Sequence, residues 1–239
     1  MKLALIGYGK MGKEVEALAL SQGHEVPLIF DANNIASLNA DCLRKVDAII
    51  EFTSPQSAPA NIALCFETGV PVICGSTGWH DKLPEISELC RAKNACLFYA
   101  SNFSIGMNIF MEINRQLATI ISDFPAYSAH IDETHHIHKL DKPSGTAISI
   151  ANDIIARHNR YVKWKLNSGD DISDLPVFSF REGEITGDHH VVWQSDIDDI
   201  SIRHSAKNRK GFALGAIMAA QYCIGKKGIF GMHDLLTKR

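Results

Sequence analysis

The chain has 239 residues, 46% of them hydrophobic, with a formal net charge of -3 and a pI of about 6.4. Such a chain can bury the cores of one or two domains, and it lacks the basic excess of a general nucleic-acid binder, so no nucleic-acid partner is expected. No stretch reaches the roughly 20 apolar residues of a membrane span, and "KLALIG" is too short for a signal sequence, so a cytoplasmic protein with no membrane partner is expected.

"KLALIG" (2–7) is a short apolar run ending in glycine, and "KMGKEVEALALSQG" (10–23) has helical spacing. "EVPLIFD" (25–31), "DAIIEFT" (47–53), "PVICGST" (71–77) and "ACLFYAS" (95–101) read as strands, with helices over about 55–68 and 81–94. Apolar runs that end in turn residues and alternate with helices predict a parallel sheet covered on both faces. A helix over 106–122 leads out of this domain. "AYSAHIDETHH" (126–136) then reads as a strand, and "SGTAISIANDIIARHN" (144–159) as a helix capped by Ser144. "LNSGDDISD" (166–174) is polar and reads as a flexible loop. The segment 177–206, rich in β-branched and aromatic residues with turns at Gly183 and Gly187, predicts two or three mostly antiparallel strands. "RKGFALGAIMAAQYCIGK" (209–226) is a long apolar helix that can return to the first domain. Cys42, Cys65, Cys74, Cys90, Cys96 and Cys223 form no CxxC pair, so reduced, mostly buried thiols are expected.

"GYGKMG" places Gly7, Gly9 and Gly12 in GxGxxG spacing between a strand and a helix. The first glycine permits the turn, the second lets backbone approach a pyrophosphate, and the third lets helix and strand pack closely. The helix start offers N–H groups and a positive dipole end to phosphates. Asp31 ends the second strand, 19 residues after Gly12, where a carboxylate can bond the adenosine ribose. A Rossmann-type α/β domain follows. A carboxylate repels a 2′-phosphate, and Ala32 and Asn33 bring no cation; Lys10 is the nearby candidate for a phosphate contact. NADH is therefore expected in preference to NADPH. The loops "FTSP" (52–55) and "GSTGW" (75–79) follow further strands. Their small residues suit either a flat ring lying against backbone or turn formation alone.

"ETHHIHKLDKPSGTA" (133–147) crowds three histidines and two lysines before a helix start. In a helix or in an extended strand, His135 and Lys139 point to the same side. Ser144, Gly145 and Thr146 present amides and hydroxyls suited to a carboxylate or phosphate. A solvated loop, a zinc site and an acid–base centre all draw on these residue types. Lys139 adds charge that opposes zinc, and no HExxH pattern is present, so no metal is expected.

These residues resemble the 4-hydroxy-tetrahydrodipicolinate reductase (dihydrodipicolinate reductase) family nearly end to end. "ETHHIHKLDKPSGTA" is similar to its E-x-HH-x-x-K-x-D-x-PSGTA signature, and "GYGKMG", "EFTSP", "GSTGW", "SNFSIGMN" (101–108), "REGEITGDH" (181–189) and "GIFGMHDLL" (228–236) follow in the family order. The resemblance implies NAD(P)H-dependent reduction of 4-hydroxy-tetrahydrodipicolinate, with loss of water, to tetrahydrodipicolinate in diaminopimelate and lysine biosynthesis. It implies His135 and Lys139 as the proton-transferring pair. His136, Ser144, Gly145 and Thr146 would bind the small dicarboxylate substrate. Gly7, Tyr8, Gly9, Lys10, Met11, Gly12 and Asp31 would contact the dinucleotide. So would Phe52, Thr53, Gly75, Ser76 and Thr77, and the stretch Ala100, Ser101, Asn102 and Phe103. It further implies a dinucleotide-binding domain of residues 1–104 and 213–239, and a substrate-binding and oligomerisation domain, 105–212, with a mixed, largely antiparallel sheet that assembles a homotetramer. His138 receives no role. The glycine turn is one residue shorter than the family's GxxGxMG form, and the stretch from Asp31 to Val46 is short, so the adenosine end departs most from the pattern. Another two-domain amino-acid dehydrogenase would explain GxGxxG but not the histidine motif. A non-catalytic NADH sensor would leave His135 and Lys139 dispensable.

Overall fold

Strands form in the first hundred residues where apolar runs too short for a helix end at turn residues. The computed structural model describes residues 1–169 and 171–237. Asp170, inside the segment expected to loop, and the last two residues of the expected first domain lie outside the described residues. The chain divides into two compact units, Met1–Ile105 with the segment from Arg209 onward, and Gly106–Asn208.

In the first unit the elements are β1 (Lys2–Ile6), α1 (Lys10–Ser21), β2 (Glu25–Phe30), α2 (Ala40–Leu43), β3 (Ala48–Glu51), α3 (Ala58–Phe66), β4 (Val72–Cys74), α4 (Leu83–Ala92) and β5 (Cys96–Tyr99). After α5 (Ile105–Ile121) and the second unit, described below, the chain returns as α7 (Lys210–Cys223), β11 (Gly228–Phe230) and α8 (Met232–Leu236). The sheet is parallel throughout, in the order β11-β5-β4-β3-β1-β2. Alternate residues of the strands serve two cores. Leu3, Leu5, Ile50 and Phe98 meet Val15 and Ala19 of α1 and Ala213, Ala216 and Ala220 of α7. Ala4, Ile6, Ile49 and Leu97 meet Ile62 and Cys65 of α3 and Ile86 and Cys90 of α4. Burial on both faces is why these strands read as unbroken apolar runs. The sequence reading did not include β11, whose three residues are too few to show a period. All six cysteines are unpaired.

The second unit holds the rest of α5, then β6 (Ser128–His135), α6 (Gly145–Ile155), β7 (Lys163–Leu166), β8 (Asp174–Arg181), β9 (Asp188–Gln194) and β10 (Asp199–Ser205). Its sheet runs β10-β9-β6-β8-β7 and is mixed. The β6–β9 and β9–β10 pairs are antiparallel, while β6–β8 and β7–β8 are parallel. The antiparallel share thus lies on one side of β6. Strand β7, "KWKL", was not anticipated, because an edge strand with exposed lysines lacks the apolar pattern. Along β6, burial alternates strictly: Ala129 and Ile131 enter the core beside Ile150 and Ile154 of α6, and Glu133 and His135 continue the same face. The other face carries His130, Asp132, Phe178, Phe180 and His190.

Gly215 allows α7 to lie against the loop after β5: a Cβ there would stand 1.8 Å from the Phe103 carbonyl oxygen. Gly215→Ala raises intrinsic helix propensity by about 1 kcal/mol. The clash should outweigh it, with a net loss of about 1–3 kcal/mol in urea denaturation. A stabilised variant would show that α7 does not need this close approach.

Candidate active site

The glycine turn follows β1 because Gly7 adopts φ +97°, and a Cβ at Gly7 would sit 2.0 Å from the Phe52 carbonyl oxygen. At Gly12 it would sit 2.3 Å from the Gly7 carbonyl oxygen, whereas at Gly9 it would meet nothing within 4 Å. Gly7 and Gly12 are thus required by backbone packing, and Gly9 leaves room above the start of α1. A cavity of about 530 Å³ opens there, lined among others by Gly7, Tyr8, Gly9, Asp31, Phe52 and Thr53. That is the size of a small-ligand site. The Asp31 carboxylate accepts from the Asn33 amide at 2.8 Å and faces this cavity from the end of β2. None of the cavity's lining residues is lysine or arginine. Lys10 is exposed and lies outside the lining. Lys13 instead approaches the Tyr8 ring, 5.7 Å from its centroid, and the Tyr8 hydroxyl donates to Glu16.

A second cavity, of about 250 Å³, is lined by Met11, Phe52, Gly75, Ser101, Phe103, Arg209 and Phe212. Phe52 borders both cavities. Its ring fits because residue 75 is glycine: a Cβ there would stand 2.0 Å from the ring. Ser76 is buried, and its hydroxyl accepts from the Thr53 amide at 2.7 Å, so the loops after β3 and β4 are tied together. Thr77 is exposed and Ala100 buried, and neither lines these two cavities; the Asn102 side chain accepts from the Ser104 amide at 2.8 Å. Glu51, Asn61, Arg209 and Phe212 were not anticipated. Glu51, fully buried, accepts from the Thr53 hydroxyl, from Asn61 Nδ2 at 3.3 Å and from Cys74 Sγ at 3.2 Å. Arg209 and Phe212 reach the cavity from the start of the returning helix, a placement no local pattern reveals.

In the second unit, strand pairing sets Ser179, Glu133, His189 and His204 in one row across β8, β6, β9 and β10. Glu133 is fully buried at its centre. One carboxylate oxygen, Oε2, lies 2.7 Å from His135 Nδ1. The other, Oε1, accepts from the Ser144 amide at 3.1 Å, from the Ser179 hydroxyl, and from Arg181 Nη1 and Nη2 at 3.2 and 3.3 Å. Burial alone pushes this carboxyl up. The close contact with His135 and the hydrogen bonds from Ser179 and Ser144 outweigh that and hold it well below the usual carboxylate range. Arg181 also donates to the carbonyls of Lys139, at 3.1 Å, and of Asp141, pinning the loop after β6. That loop is neither helix nor strand: β6 ends at His135, and the Lys139 amide bonds the His136 carbonyl at 3.1 Å in a turn. The common direction expected for His135 and Lys139 from regular spacing therefore does not apply, and the turn sets Lys139 instead. Lys139 Nζ pairs with Asp141 at 2.8 Å and holds that carboxyl below its ordinary range. The His136 ring stands beside His138, centroids 6.1 Å apart, and exposed His138 meets Glu184 at 3.4 Å.

The Lys142–Pro143 peptide is cis, and Ser144 caps α6, its hydroxyl accepting from the Ala147 amide at 3.1 Å. Gly145 and Thr146 supply first-turn amides, which a helix cannot satisfy from within. Ligand atoms of Glu133, His135 and His189 lie within 4.8 Å of one another, a spacing compatible with a metal ion. The fixed charge of Arg181 on the same carboxylate opposes a cation there.

Two family profiles divide the chain: "Dihydrodipicolinate reductase, N-terminus" matches residues 1–103 and "Dihydrodipicolinate reductase, C-terminus" matches residues 106–236. The chain belongs to the dihydrodipicolinate reductase family. It is 40% identical over 237 residues to the 4-hydroxy-tetrahydrodipicolinate reductase of Christiangramia forsetii, covering 99% of this chain and 98% of that one. It is 32% identical to the reductase of Archaeoglobus fulgidus, covering 99% of this chain and 100% of that one. The dipicolinate-bound dihydrodipicolinate reductase of Paenisporosarcina sp. TG-14 shares the fold, with a TM-score of 0.80, 22% identity and 97% of each chain covered. Membership makes the chain an NAD(P)H-dependent oxidoreductase of diaminopimelate and lysine biosynthesis.

Within this reductase fold, His189 has no role of its own in the sequence pattern, and the structure places it against the centre. Its Nε2 lies 3.4 Å from the Ser144 hydroxyl, and its ring meets His135 edge-on at 5.2 Å. Burial, reinforced by the charge of His135, lowers its pKa to about 4. A histidine that protonates more readily unfolded than folded favours unfolding as pH falls from its free value of about 6.5 towards 4, and the loss approaches about 3 kcal/mol. Above that window it contributes no slope. Urea midpoints measured between pH 7 and 4 should therefore fall less steeply in His189→Asn than in the parent. Equal slopes would remove His189 from the acid response.

Proposed function

We propose that the chain reduces 4-hydroxy-tetrahydrodipicolinate to tetrahydrodipicolinate, with loss of water, using NADH in preference to NADPH, with His135 and Lys139 as the proton-transferring pair. The observation that carries this reading is that one buried carboxylate, Glu133, contacts both His135 Nδ1 and the Ser144 amide. Proton chemistry and an anion-binding helix start are thereby built into one cluster. The substrate carries two carboxylates. Gly145 and Thr146 hold one through first-turn amides, and His136 and Ser144 add polar contacts. Cations around the ring favour the negative charge that develops there during reduction. Lys139 and His135 supply and accept protons. The nicotinamide, when bound, supplies the hydride.

The first unit, Met1–Ile105 with the segment from Arg209 onward, is the dinucleotide-binding domain expected over 1–104 and 213–239. Its fit to the cofactor rests on the space above Gly9, on Asp31, and on the small-residue loops around Phe52, Thr53 and Gly75. Asp31 beside a cavity lined by neither lysine nor arginine supports NADH, since a 2′-phosphate would meet like charge. The second unit, Gly106–Asn208, is the domain expected over 105–212; it binds substrate and forms a homotetramer through its sheet. The half-exposed Phe180 beside Phe178, on the face turned away from α5 and α6, supports that assembly. No helix among the described residues is long and apolar enough to cross a membrane. The six unpaired cysteines support a cytoplasmic location.

Lys139→Ala and His135→Ala should each lower kcat by about 10²–10⁴-fold, with NADH binding, read by nucleotide fluorescence, retained. Near-parent turnover would remove the residue from the chemistry. The kcat/KM should favour NADH over NADPH, and a clear NADPH preference would overturn the role given to Asp31. Phe180→Glu should shift the light-scattering mass towards smaller species, and an unchanged tetramer would place the interface elsewhere.

A further inference from the structure

Glu133 and His135 are two residues apart on β6, so their side chains emerge on one face. The histidine could present either ring nitrogen to the carboxylate, and Nδ1 is the one that stands against it, 2.7 Å from Oε2 in an ion-pair contact that is not aligned as a regular hydrogen bond. The carboxylate itself cannot swing away. Its other oxygen is fixed by the Ser144 amide from α6, the Ser179 hydroxyl from β8 and the Arg181 guanidinium. Against the imidazole stands the His189 ring of β9, nearly perpendicular to His135 at 79°. On the far side of the imidazole stands Gly187, where a Cβ would lie 3.1 Å from Nε2 and 3.4 Å from Cδ2. The Gly187 carbonyl accepts the Ala206 amide at 2.8 Å, so this glycine is anchored beside the ring.

We propose that Glu133 is a positioning residue for the reductive step: it fixes the proton of neutral His135 on Nδ1, and so assigns proton exchange with the substrate to Nε2, beside which Gly187 leaves room. The inference rests on the reading of His135 as a proton-transferring residue and specifies which atom acts. A carboxylate 2.7 Å from a ring nitrogen repels a bare lone pair and attracts an N–H, so the nitrogen facing it carries the hydrogen. The depressed acidity range of Glu133 keeps it ionised wherever a neutral imidazole exists. When His135 takes up a proton at Nε2, Glu133 faces the resulting imidazolium and stabilises it. The other charged or titratable groups around the ring are Arg181 of β8, His189 of β9, and, further along the row, His204 of β10; Lys139 and Asp141 follow in the loop after β6.

The arrangement is tested first without substitution. Nitrogen-15 NMR of the full-length protein, with the His135 signals identified by their loss in His135→Gln, should show hydrogen on Nδ1 of the neutral ring and none on Nε2. Hydrogen on Nε2 with bare Nδ1 would overturn the proposal. Glu133→Gln then separates positioning from scaffolding. It keeps the side-chain shape but can donate to Nδ1. We expect kcat to fall by about 10²–10⁴-fold, the pH profile of kcat/KM to move to lower pH as the imidazolium loses its counter-charge, and NADH affinity to stay within twofold. An unchanged pH profile with parent-like kcat would sink the proposal. Should Glu133→Gln fail to fold, the NMR result on the parent still decides. His135→Ala with parent-like turnover would instead remove the reading beneath it, whatever state the ring adopts.

Discussion

A carboxylate sealed from water must be surrounded by donors, or it drives the fold apart. Glu133 meets this demand with groups drawn from three places in the second unit: its own strand, the neighbouring β8 and the Ser144 cap of α6. The consequence is geometric. The helix start that is read as the anion site and the histidine that is read as the proton carrier are referred to one atom group. Arg181 extends the reference further, through the carbonyls of Lys139 and Asp141. A loop whose backbone is held by a guanidinium, itself held by a buried anion, has little freedom to drift. The charge is internal and therefore weakly screened by salt.

The first unit solves a different problem by leaving material out. The turn after β1 and the loops after β3 and β4 approach so closely that side chains at residues 7, 12 and 75 would enter backbone or ring atoms. Hydroxyl and carboxylate groups then knit the loops: Glu51 to Thr53, and Thr53 to Ser76. The crevice walls are thus fixed by backbone proximity more than by apolar packing. Such walls suit a ligand recognised through its phosphates and flat rings.

The α/β alternation, the glycine turn and the histidine motif were legible because each is local. Period-2 burial, a three-glycine spacing and a capped helix start all lie within a dozen residues. β11 and β7 were not legible: one is too short to show a period, the other too polar. Among side chains, Asp31 could be read from its place at a strand end. Glu51 could not, because nothing local distinguishes a buried glutamate from an exposed one. Arg209, Phe212 and His189 depend on tertiary juxtaposition across strands or across the whole second unit. The turn at 136–139 is hidden from local spacing for a related reason. Either regular period predicted a shared direction for His135 and Lys139, and the Arg181 contacts, remote in sequence, chose an irregular path instead.

Phe52 borders both cavities of the first unit, and it can do so only opposite a residue without a side chain at position 75. The two positions are consequently coupled in volume. A larger residue at 75 is compatible with the fold only when 52 shrinks, and a smaller residue at 52 merges two compartments into one. Either change alone leaves this crevice overfilled or hollow.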